Sequence, residues 1–277
     1  YEIVQGRPEV EVKMIHFDSR KVGEGDLFIA QRGVNADGHE YITKAVAAGA
    51  AAVVCERPPE DSSVPYVLVE NSRRALAVMA ANYYGHPADS MTMVAVTGTN
   101  GKTTTTYLLK AILEQELGAK VGLIGTNQDL IGDEVVPTER TTPESLELQE
   151  LFARMRSAGC THVVMEASSH ALALDRVYGI HYAVGIFTNL TQDHLDFHKT
   201  MEAYCDAKAR LFRQCRAAVV NGDDPWTLRL LENVTCPVTR FGQGLANDLV
   251  GWDAHYCTDR VSFTACSDSE NIPVTLH

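Results

Sequence analysis

The fold of this chain is decided by the stretch Val94-Ala95-Val96-Thr97-Gly98-Thr99-Asn100-Gly101-Lys102-Thr103. It predicts a buried strand, a glycine turn and then a helix that Lys102 and Thr103 open. The N–H groups at such a helix start point toward an anion, and the helix dipole favours negative charge there. Lys102 supplies a positive charge for the outer phosphates, and the Thr103 hydroxyl can ligate Mg²⁺. We therefore predict a site for the phosphates of ATP.

The glycine spacing differs from that of the general P-loop, which places a glycine five residues before Gly101, where this chain has Val96. Here Gly98 precedes Gly101 by three residues instead. A tight turn that caps an ordinary helix is the alternative interpretation. Strand, turn, Lys-Thr pair and helix nevertheless occur in the right order and spacing, which favours the phosphate loop.

Apolar strands alternate with helices downstream of this loop, a pattern typical of a parallel sheet covered on both faces. We predict strands at residues 91–96, 121–124, 162–165, 184–187 and 217–220. One helix is predicted at residues 103–117 with the apolar stripe Leu109, Ile112, Leu113 and Leu117. A second helix is predicted to begin at a Thr142 cap. The expected fold class is α/β, with a mainly parallel P-loop-type sheet.

The first part of the chain has shorter, mixed elements, including a helix that we expect Ser72 to cap. Gly85-His86-Pro87 then breaks the chain. We predict a small mixed domain at residues 1–88 and an ATP-binding domain at residues 89–277. The last residues are typical of a strand, so we expect that this second domain is incomplete and that the chain is a fragment.

The composition excludes several classes of function. The formal net charge is −12 and the chain has no basic cluster, so it is a poor candidate for binding nucleic acid or an anionic membrane. Its 7 cysteines form no C-x-x-C pair, as expected of free thiols in a reducing compartment. The longest apolar run, residues 45–54, is too short to cross a bilayer. We expect a cytoplasmic monomer.

Glu166 follows the apolar residues 163–165 and therefore lies at the carboxyl end of a predicted strand, where open α/β sheets bind ligands. It could be a helix cap, but beside a nucleotide loop a carboxylate is a good Mg²⁺ ligand. Ser168-Ser169-His170 is compatible with a hydrolase in which serine is the nucleophile. The flanking glycines of a nucleophile elbow are missing, which disfavours that interpretation.

His194 and His198 follow the next strand end and could belong to a zinc site by composition. With Asp196 between them, the i, i+2, i+4 spacing fits neither one helix face nor a C-x-x-C companion, so a polar loop is the commoner interpretation. Thr200 can cap a helix on which Tyr204 and Lys208 share the apolar face. The ordinary interpretation of Lys208 is a surface lysine whose stem covers apolar neighbours.

Together these motifs resemble the Mur ligase family. The matching segments are Asp18-Ser19-Arg20, Gly25-Asp26-Leu27-Phe28, residues 98–104, Thr141-Thr142-Pro143, residues 166–172, Thr188-Asn189-Leu190, Asp193-His194-Leu195-Asp196, Ala207-Lys208, Leu211-Phe212 and Asn221-Gly222-Asp223-Asp224. They cover most of the chain in the right order. The resemblance is strongest to the members that add the third residue of the peptidoglycan stem peptide.

The resemblance implies a role for each matching residue. The ATP-binding residues would be Gly98, Thr99, Asn100, Gly101, Lys102, Thr103 and Thr104. The catalytic residues would be Lys102, Glu166, His194 and Lys208. One Mg²⁺ would be ligated by Thr103 and Glu166, and a second by His194 and Lys208. In this family the lysine that matches Lys208 is carbamylated, which turns a cation into a carboxylate-like ligand.

The implied substrates are UDP-N-acetylmuramoyl-L-Ala-D-Glu and a diamino acid, either meso-diaminopimelate or L-lysine. ATP would activate the D-Glu γ-carboxylate as an acyl phosphate. The substrate would be held by Phe17, Ser19 and Asn35 at its UDP-sugar end and by Thr141, Thr142, Ser168 and Arg176 at its peptide end. Arg140 and Leu174 depart from positions where some members carry an amide. The family's amino-acid-binding C-terminal domain has no counterpart here, so we expect the fragment alone to be inactive.

Other functions remain open on the sequence. The D-Ala-D-Ala-adding ligase is disfavoured by residues 166–172 and 194–212, and folylpolyglutamate synthetase by the segment around Ser19. A P-loop NTPase switch would hydrolyse ATP without a UDP-substrate. A non-catalytic binding fragment would be stabilised by ligands without releasing phosphate.

Overall fold

The computed structural model describes residues 2–5, 9–33, 36–60 and 63–276. These residues form two compact units, and each is described by itself. The first unit comprises the residues up to His86 together with Glu144–Glu150. The second comprises Pro87–Pro143 and the residues from Leu151 onward.

The first unit is built on one sheet and two helices. Its strands are β1 Glu2–Gln5, β2 Ile15–His16, β3 Leu27–Ile29, β4 Ala52–Cys55 and β5 Tyr66–Leu68. Its helices are α1 Ile42–Ala47 and α2 Ser72–Tyr83, with a 3₁₀ helix at Gly38–Tyr41. Among the described residues the strand order is β1-β5-β4-β3-β2, with β1 antiparallel and the other pairs parallel.

Successive side chains of a strand point to opposite faces of the sheet, and here both faces are covered. Phe28 and Val53 belong to one core, and Ile29 and Val54 belong to the other with Leu76 of α2. The predicted Ser72 cap is wrong. Asn71 caps α2, since its side chain accepts from the N–H groups of residues 73 and 74. Ser72 is the first residue of the helix, and its hydroxyl donates to a Glu56 carboxylate oxygen at 2.8 Å.

The second unit contains the larger sheet. Its strands are β6 Thr92–Thr97, β7 Val121–Ile124, β8 Asp129–Ile131, β9 Glu134–Val136, β10 His162–Glu166, β11 Tyr182–Phe187, β12 Cys215–Asn221, β13 Val238–Gly242, β14 Leu249–Tyr256, β15 Val261–Cys266 and β16 Asn271–Leu276. Its helices are α3 Lys102–Leu117, α4 Ser145–Ser157, α5 Ser169–Ala173, α6 Leu195–His198, α7 Met201–Ala209 and α8 Thr227–Leu231, with 3₁₀ helices at Pro87–Ser90 and Arg210–Gln214. The first residues of α4, up to Glu150, belong to the first unit.

The described strands of this sheet follow the order β16-β15-β14-β13-β12-β11-β6-β10-β7-β8-β9. Pairing is parallel from β14 through β7 and antiparallel at both ends. The predicted α/β fold with a mainly parallel sheet is confirmed. Glu166 pairs with Val96 and Phe187 with Thr97, so the carboxyl ends of β10, β6 and β11 meet at one edge.

Two details of the predicted helices are wrong. In α3, Leu109 and Leu113 pack on the sheet, but Ile112 and Leu117 are 55% and 61% exposed, because the buried face is completed by Thr106 and Lys110. Helix α4 begins at Ser145 rather than at a Thr142 cap. No helix in the described ranges is long and apolar enough to cross a membrane.

Candidate active site

The glycine turn between β6 and α3 lies at the carboxyl edge of the larger sheet. Gly98 and Gly101 have φ values of 152° and 84°. Both lie in the region that glycine adopts without a steric penalty. A Cβ on Gly98 would also overlap the Thr188 hydroxyl oxygen. The loop therefore requires glycine at this position because of its backbone conformation and because the end of β11 approaches it closely.

Residues after β11 hold the loop in place. The N–H of Thr99 donates to the Asn189 carbonyl at 2.8 Å, and the N–H of Asn100 donates to the Asn189 side chain at 3.0 Å. Thr188 Oγ1 donates to the Asn100 carbonyl at 2.7 Å. These two loop N–H groups are thus engaged within the protein. The first N–H groups of α3 have no partner inside the helix and are the donors that face an incoming anion.

Two lysines converge on the carbonyl of Gly98. Lys102 Nζ donates to it at 3.0 Å and to the Thr99 carbonyl at 2.8 Å, and Lys208 Nζ donates to it at 2.7 Å. Lys208 is 1% exposed and lies 4.5 Å from the centre of the Tyr204 ring. Burial and then the charge of Lys102 lower the pKa of Lys208 to about 7. The interpretation of Lys208 as a surface lysine is therefore wrong.

The carboxylate of Glu166 is fully buried beside the loop. One oxygen accepts from the Thr103 hydroxyl and from the Thr126 N–H, each at 2.9 Å, and the other accepts from the Thr126 hydroxyl at 3.1 Å. A carboxylate and a hydroxyl in contact at the helix start are the hard oxygen donors that suit Mg²⁺. Sequence reasoning missed Thr126, although it follows the end of β7 at the same edge of the sheet.

A second buried carboxyl group supports the turn that carries Thr126. Asp129 Oδ1 accepts from the N–H of Gly125 at 3.2 Å. A Cβ on Gly125 would lie 2.5 Å from Glu166 Oε1, so the turn approaches the carboxylate as closely as glycine allows. Burial raises the pKa of Asp129 to about 6, and the hydrogen bonds from Gly125 and Thr138 lower it only in part.

The raised pKa predicts a pH-dependent effect of Asp129→Asn on stability. The folded state binds the Asp129 proton more tightly than the unfolded chain does, so protonation of Asp129 stabilises the fold. This contribution to the free energy of unfolding is fully present below the unfolded-state pKa of 3.8 and is lost as the pH rises through the folded-state pKa of about 6. Asparagine keeps the acceptor and does not ionise. We expect the variant to match the wild type near about pH 4 and to be about 2–3 kcal/mol more stable at about pH 8.

Urea unfolding across this pH range measures the difference, with Asp133→Asn as the exposed control that should show no such trend. A difference that stays constant with pH would show that Asp129 is not the titrating group.

Four of the residues predicted for the peptide end of a substrate lie next to Glu166. The Thr142 hydroxyl donates to the Glu166 carbonyl at 2.8 Å, and it accepts from the N–H of Ser168 at 3.1 Å. Arg176 Nη1 donates to the Thr142 carbonyl at 3.1 Å, and the Thr141 and Thr126 hydroxyls are 3.0 Å apart. Thr142 does not cap α4 because its hydroxyl is used here.

Ser168 caps α5, since its hydroxyl accepts from the N–H of Ala171 at 3.2 Å. No histidine in the described part of the chain is hydrogen-bonded to it, which disfavours the hydrolase interpretation. Ser169 does contact His198 Nε2 at 2.9 Å, but both residues are buried.

Histidine and tyrosine rings cluster beside Lys208. His194 is 47% exposed and lies edge-on to His170, with ring centres 4.9 Å apart. His198 stacks on Tyr204 at 4.9 Å, and burial, followed by the neighbouring His170 and Lys208, lowers its pKa to about 4. No group of three or more His, Cys, Asp or Glu side chains within the described ranges could hold a metal ion, which disfavours the zinc interpretation. His194 and Lys208 both flank Tyr204.

Comparison with known proteins identifies the family. The Mur ligase middle domain matches residues 96–277, and the Mur ligase family catalytic domain matches residues 11–84. The chain belongs to the Mur ligase family. It is 48% identical to UDP-N-acetylmuramoyl-L-alanyl-D-glutamate–2,6-diaminopimelate ligase of Clostridium tetani over 84% of this chain and 49% of that protein. It is 45% identical to the enzyme of the same name from Clostridium botulinum, over 96% of this chain and 56% of that protein.

A solved structure of a ligase with this name superimposes with a TM-score of 0.80 at 27% identity, covering 95% of this chain and 55% of that one. The chain therefore spans about half the length of the Mur ligases that it matches.

The residues predicted for the UDP-sugar end belong to the first unit or lie outside the described residues. Phe17 follows β2 and packs, half-buried, against the core that contains Ile15 and Leu76. Ser19 is half-buried two residues later. Asn35 lies outside the described residues.

Proposed function

We propose that the full-length protein is an ATP-dependent ligase that joins 2,6-diaminopimelate to UDP-N-acetylmuramoyl-L-Ala-D-Glu in peptidoglycan synthesis. The observation that carries the proposal is the meeting of the phosphate loop, the buried Glu166 and the buried Lys208 at one sheet edge. The names of the relatives at 45–48% identity support diaminopimelate over L-lysine.

The phosphates of ATP would bind at the start of α3. The N–H groups of Thr99 and Asn100 are engaged by Asn189, so Gly101, Lys102, Thr103 and Thr104 would supply the backbone donors. Among the described residues, Lys102 Nζ donates to the Gly98 and Thr99 carbonyls. An arriving phosphate is a stronger partner for its ammonium group, so Lys102 would turn toward the outer phosphates.

Thr103 and Glu166 would hold one Mg²⁺, which when bound would neutralise charge on the phosphates. Thr126 fixes the orientation of the Glu166 carboxylate through its N–H and hydroxyl. Few protein ligands are needed here, because Mg²⁺ usually keeps several waters and takes phosphate oxygens.

Lys208 would serve a second Mg²⁺ with His194 only after modification, because an ammonium group repels a cation. Burial favours the neutral amine at Lys208, and that amine can attack CO₂. The N–C bond forms, the nitrogen loses a proton, and the product is an anionic carbamate. Among the described residues, no carboxylate contacts Lys208 Nζ. A carbamate would therefore supply the negative charge that this position otherwise lacks.

The reaction would proceed in two displacements. The D-Glu γ-carboxylate attacks the γ-phosphorus, ADP leaves, and an acyl phosphate forms. The diaminopimelate amine then attacks the acyl carbon, phosphate leaves, and the nitrogen loses a proton to give the amide. Both partners of the first step are anions, so Lys102 and the α3 N–H groups would provide electrostatic stabilisation and positioning.

Thr141, Thr142, Ser168 and Arg176 would hold the peptide end of the substrate near Glu166. Residues 1–88, with Phe17, Ser19 and Asn35, would form the domain that binds its UDP end, and residues 89–277 would belong to the ATP-binding domain. The expected monomer and cytoplasmic location stay predictions.

Phosphate release by the full-length protein tests the proposal. We expect release from ATP only when UDP-N-acetylmuramoyl-L-Ala-D-Glu and diaminopimelate are both present, with L-lysine giving far less. Release with the corresponding tripeptide and D-Ala-D-Ala would instead identify the later ligase. Release from ATP alone, unaffected by either substrate, would contradict a ligase and favour an NTPase.

A further inference from the structure

A cavity of about 760 Å³ lies at the edge of the larger sheet opposite to the phosphate loop. Its lining includes Thr92 and Cys215, the first residues of β6 and β12. It also includes Thr161 and His181, which immediately precede β10 and β11. Strand residues rise about 3.3 Å each, so Thr92 and Gly98 are about 20 Å apart along the chain. The cavity is therefore separate from the ATP site.

The cavity is lined by two arginines, Arg213 and Arg216, together with His181 and Asp89. Neither arginine side chain has a hydrogen bond or an ion pair within the part of the chain that the structure describes. The arginines that pair with carboxylates elsewhere include Arg20, Arg32, Arg57, Arg73, Arg154, Arg229 and Arg260. In a chain of net charge −12, two unpaired arginines at one cavity are a local concentration of positive charge.

The backbone that carries both arginines is fixed by its neighbours. Gln214 Oε1 accepts from the N–H of Gly179 at 3.0 Å, and the Cys215 thiol donates to the Leu211 carbonyl at 3.2 Å. Arg213 belongs to a 3₁₀ helix and Arg216 to β12, so the two guanidinium groups project from different elements. A ligand would have to order the side chains but not the backbone, which lowers the cost of binding.

We propose that this cavity binds a small organic phosphate, in addition to the ATP bound at the loop. Guanidinium groups match phosphate oxygens with two parallel hydrogen bonds, and Thr92 and His181 offer further polar contacts. The buried Met91 and Met93 supply an apolar wall for the organic part. The volume lies within the range of about 300–1,000 Å³ that is typical of small-molecule sites and exceeds the size of a bare phosphate ion.

Calorimetry on the full-length protein tests this site independently of ligase activity. Lys102→Ala provides the background, because it weakens phosphate binding at the loop, and saturating UDP-N-acetylmuramoyl-L-Ala-D-Glu occupies the proposed UDP site. Inorganic pyrophosphate and uridine monophosphate are the probes. We expect one remaining binding event for each probe. Adding Arg213→Ala and Arg216→Ala should weaken it at least about tenfold, since each bidentate charged contact contributes more than a neutral hydrogen bond.

Arg240→Ala is the matched control, because this exposed arginine lies on β13 outside the cavity lining, and its removal should leave the affinity unchanged. Absence of the remaining event, or equal weakening by Arg240→Ala, would overturn the proposal. Malonate binding as tightly as pyrophosphate would show a carboxylate site and contradict the phosphate assignment.

Discussion

Lys208→Ala is expected to reduce turnover of the full-length protein by about 10²–10³-fold, the loss typical of removing one preorganised electrostatic group at a reaction centre. The buried amine is the group that we propose to become a carbamate and to hold Mg²⁺ with His194. Alanine leaves a space beside Tyr204 and the Gly98 carbonyl. Formate or acetate can enter that space and supply a carboxylate, so either anion should restore part of the phosphate release.

Lys208→Arg separates the two possible roles of this residue. Arginine keeps the positive charge but does not form a carbamate, so it should be about as inactive as alanine. Lys44→Ala, at an exposed position of α1, is the control for loss of a lysine charge. Wild-type turnover in Lys208→Arg would show that a cation suffices. A stably folded Lys208→Ala variant that carboxylates fail to activate would also contradict the carbamate.

Gly98→Ala is expected to lower the free energy of unfolding by about 2–5 kcal/mol and to abolish measurable ATP binding. Two effects add at this position: the backbone has a φ value of 152°, and the new methyl group would overlap the Thr188 hydroxyl. Moving Thr188 breaks its hydrogen bond to the Asn100 carbonyl. The loop would then lose one of the contacts that hold it against the end of β11.

Two further variants separate the steric effect from the backbone effect. Gly118→Ala places a methyl group at a φ value of 59° with no atom within 4 Å, so it should cost only about 1 kcal/mol and leave ATP binding intact. Thr188→Ala in the Gly98→Ala background removes the overlap and should recover part of the stability. Urea unfolding and calorimetry with ATP measure both quantities. Equal losses in the Gly98 and Gly118 variants would show that Thr188 is not the obstacle.

The sequence predicts the central strands β6, β7, β10, β11 and β12 of the larger sheet, because they are apolar runs of strand length. It does not predict β9 or β13–β15, whose residues are half-buried or exposed. It also predicts which edge carries the site, since Glu166 and the glycine turn both follow predicted apolar strands. The positions of Ile112 and Leu117 could not be predicted. The composition of a helix face does not reveal that Thr106 and Lys110 take the buried positions.

The contacts within the site depend on strand order, which local patterns do not contain. Thr126 reaches Glu166 only because β10 is inserted between β6 and β7. Thr142 is a good helix cap by residue type, yet its hydroxyl reaches the end of β10 instead. The burial of Lys208 likewise depends on the position of α7 beside the loop, so composition alone favours a surface lysine.

The first unit is built from two separate segments of the chain, and this sets a condition for protein engineering. Glu144–Glu150 belongs with the residues up to His86, and within that unit Glu144 lies 3.6 Å from Arg73 while Leu146 packs on the core around Leu76. A chimaera that exchanges only the first 86 residues between two Mur ligases would place this heptapeptide against a foreign surface. Both segments, the first 86 residues and residues 144–150, would have to be taken from the same parent enzyme, which requires two separate exchanges in one gene.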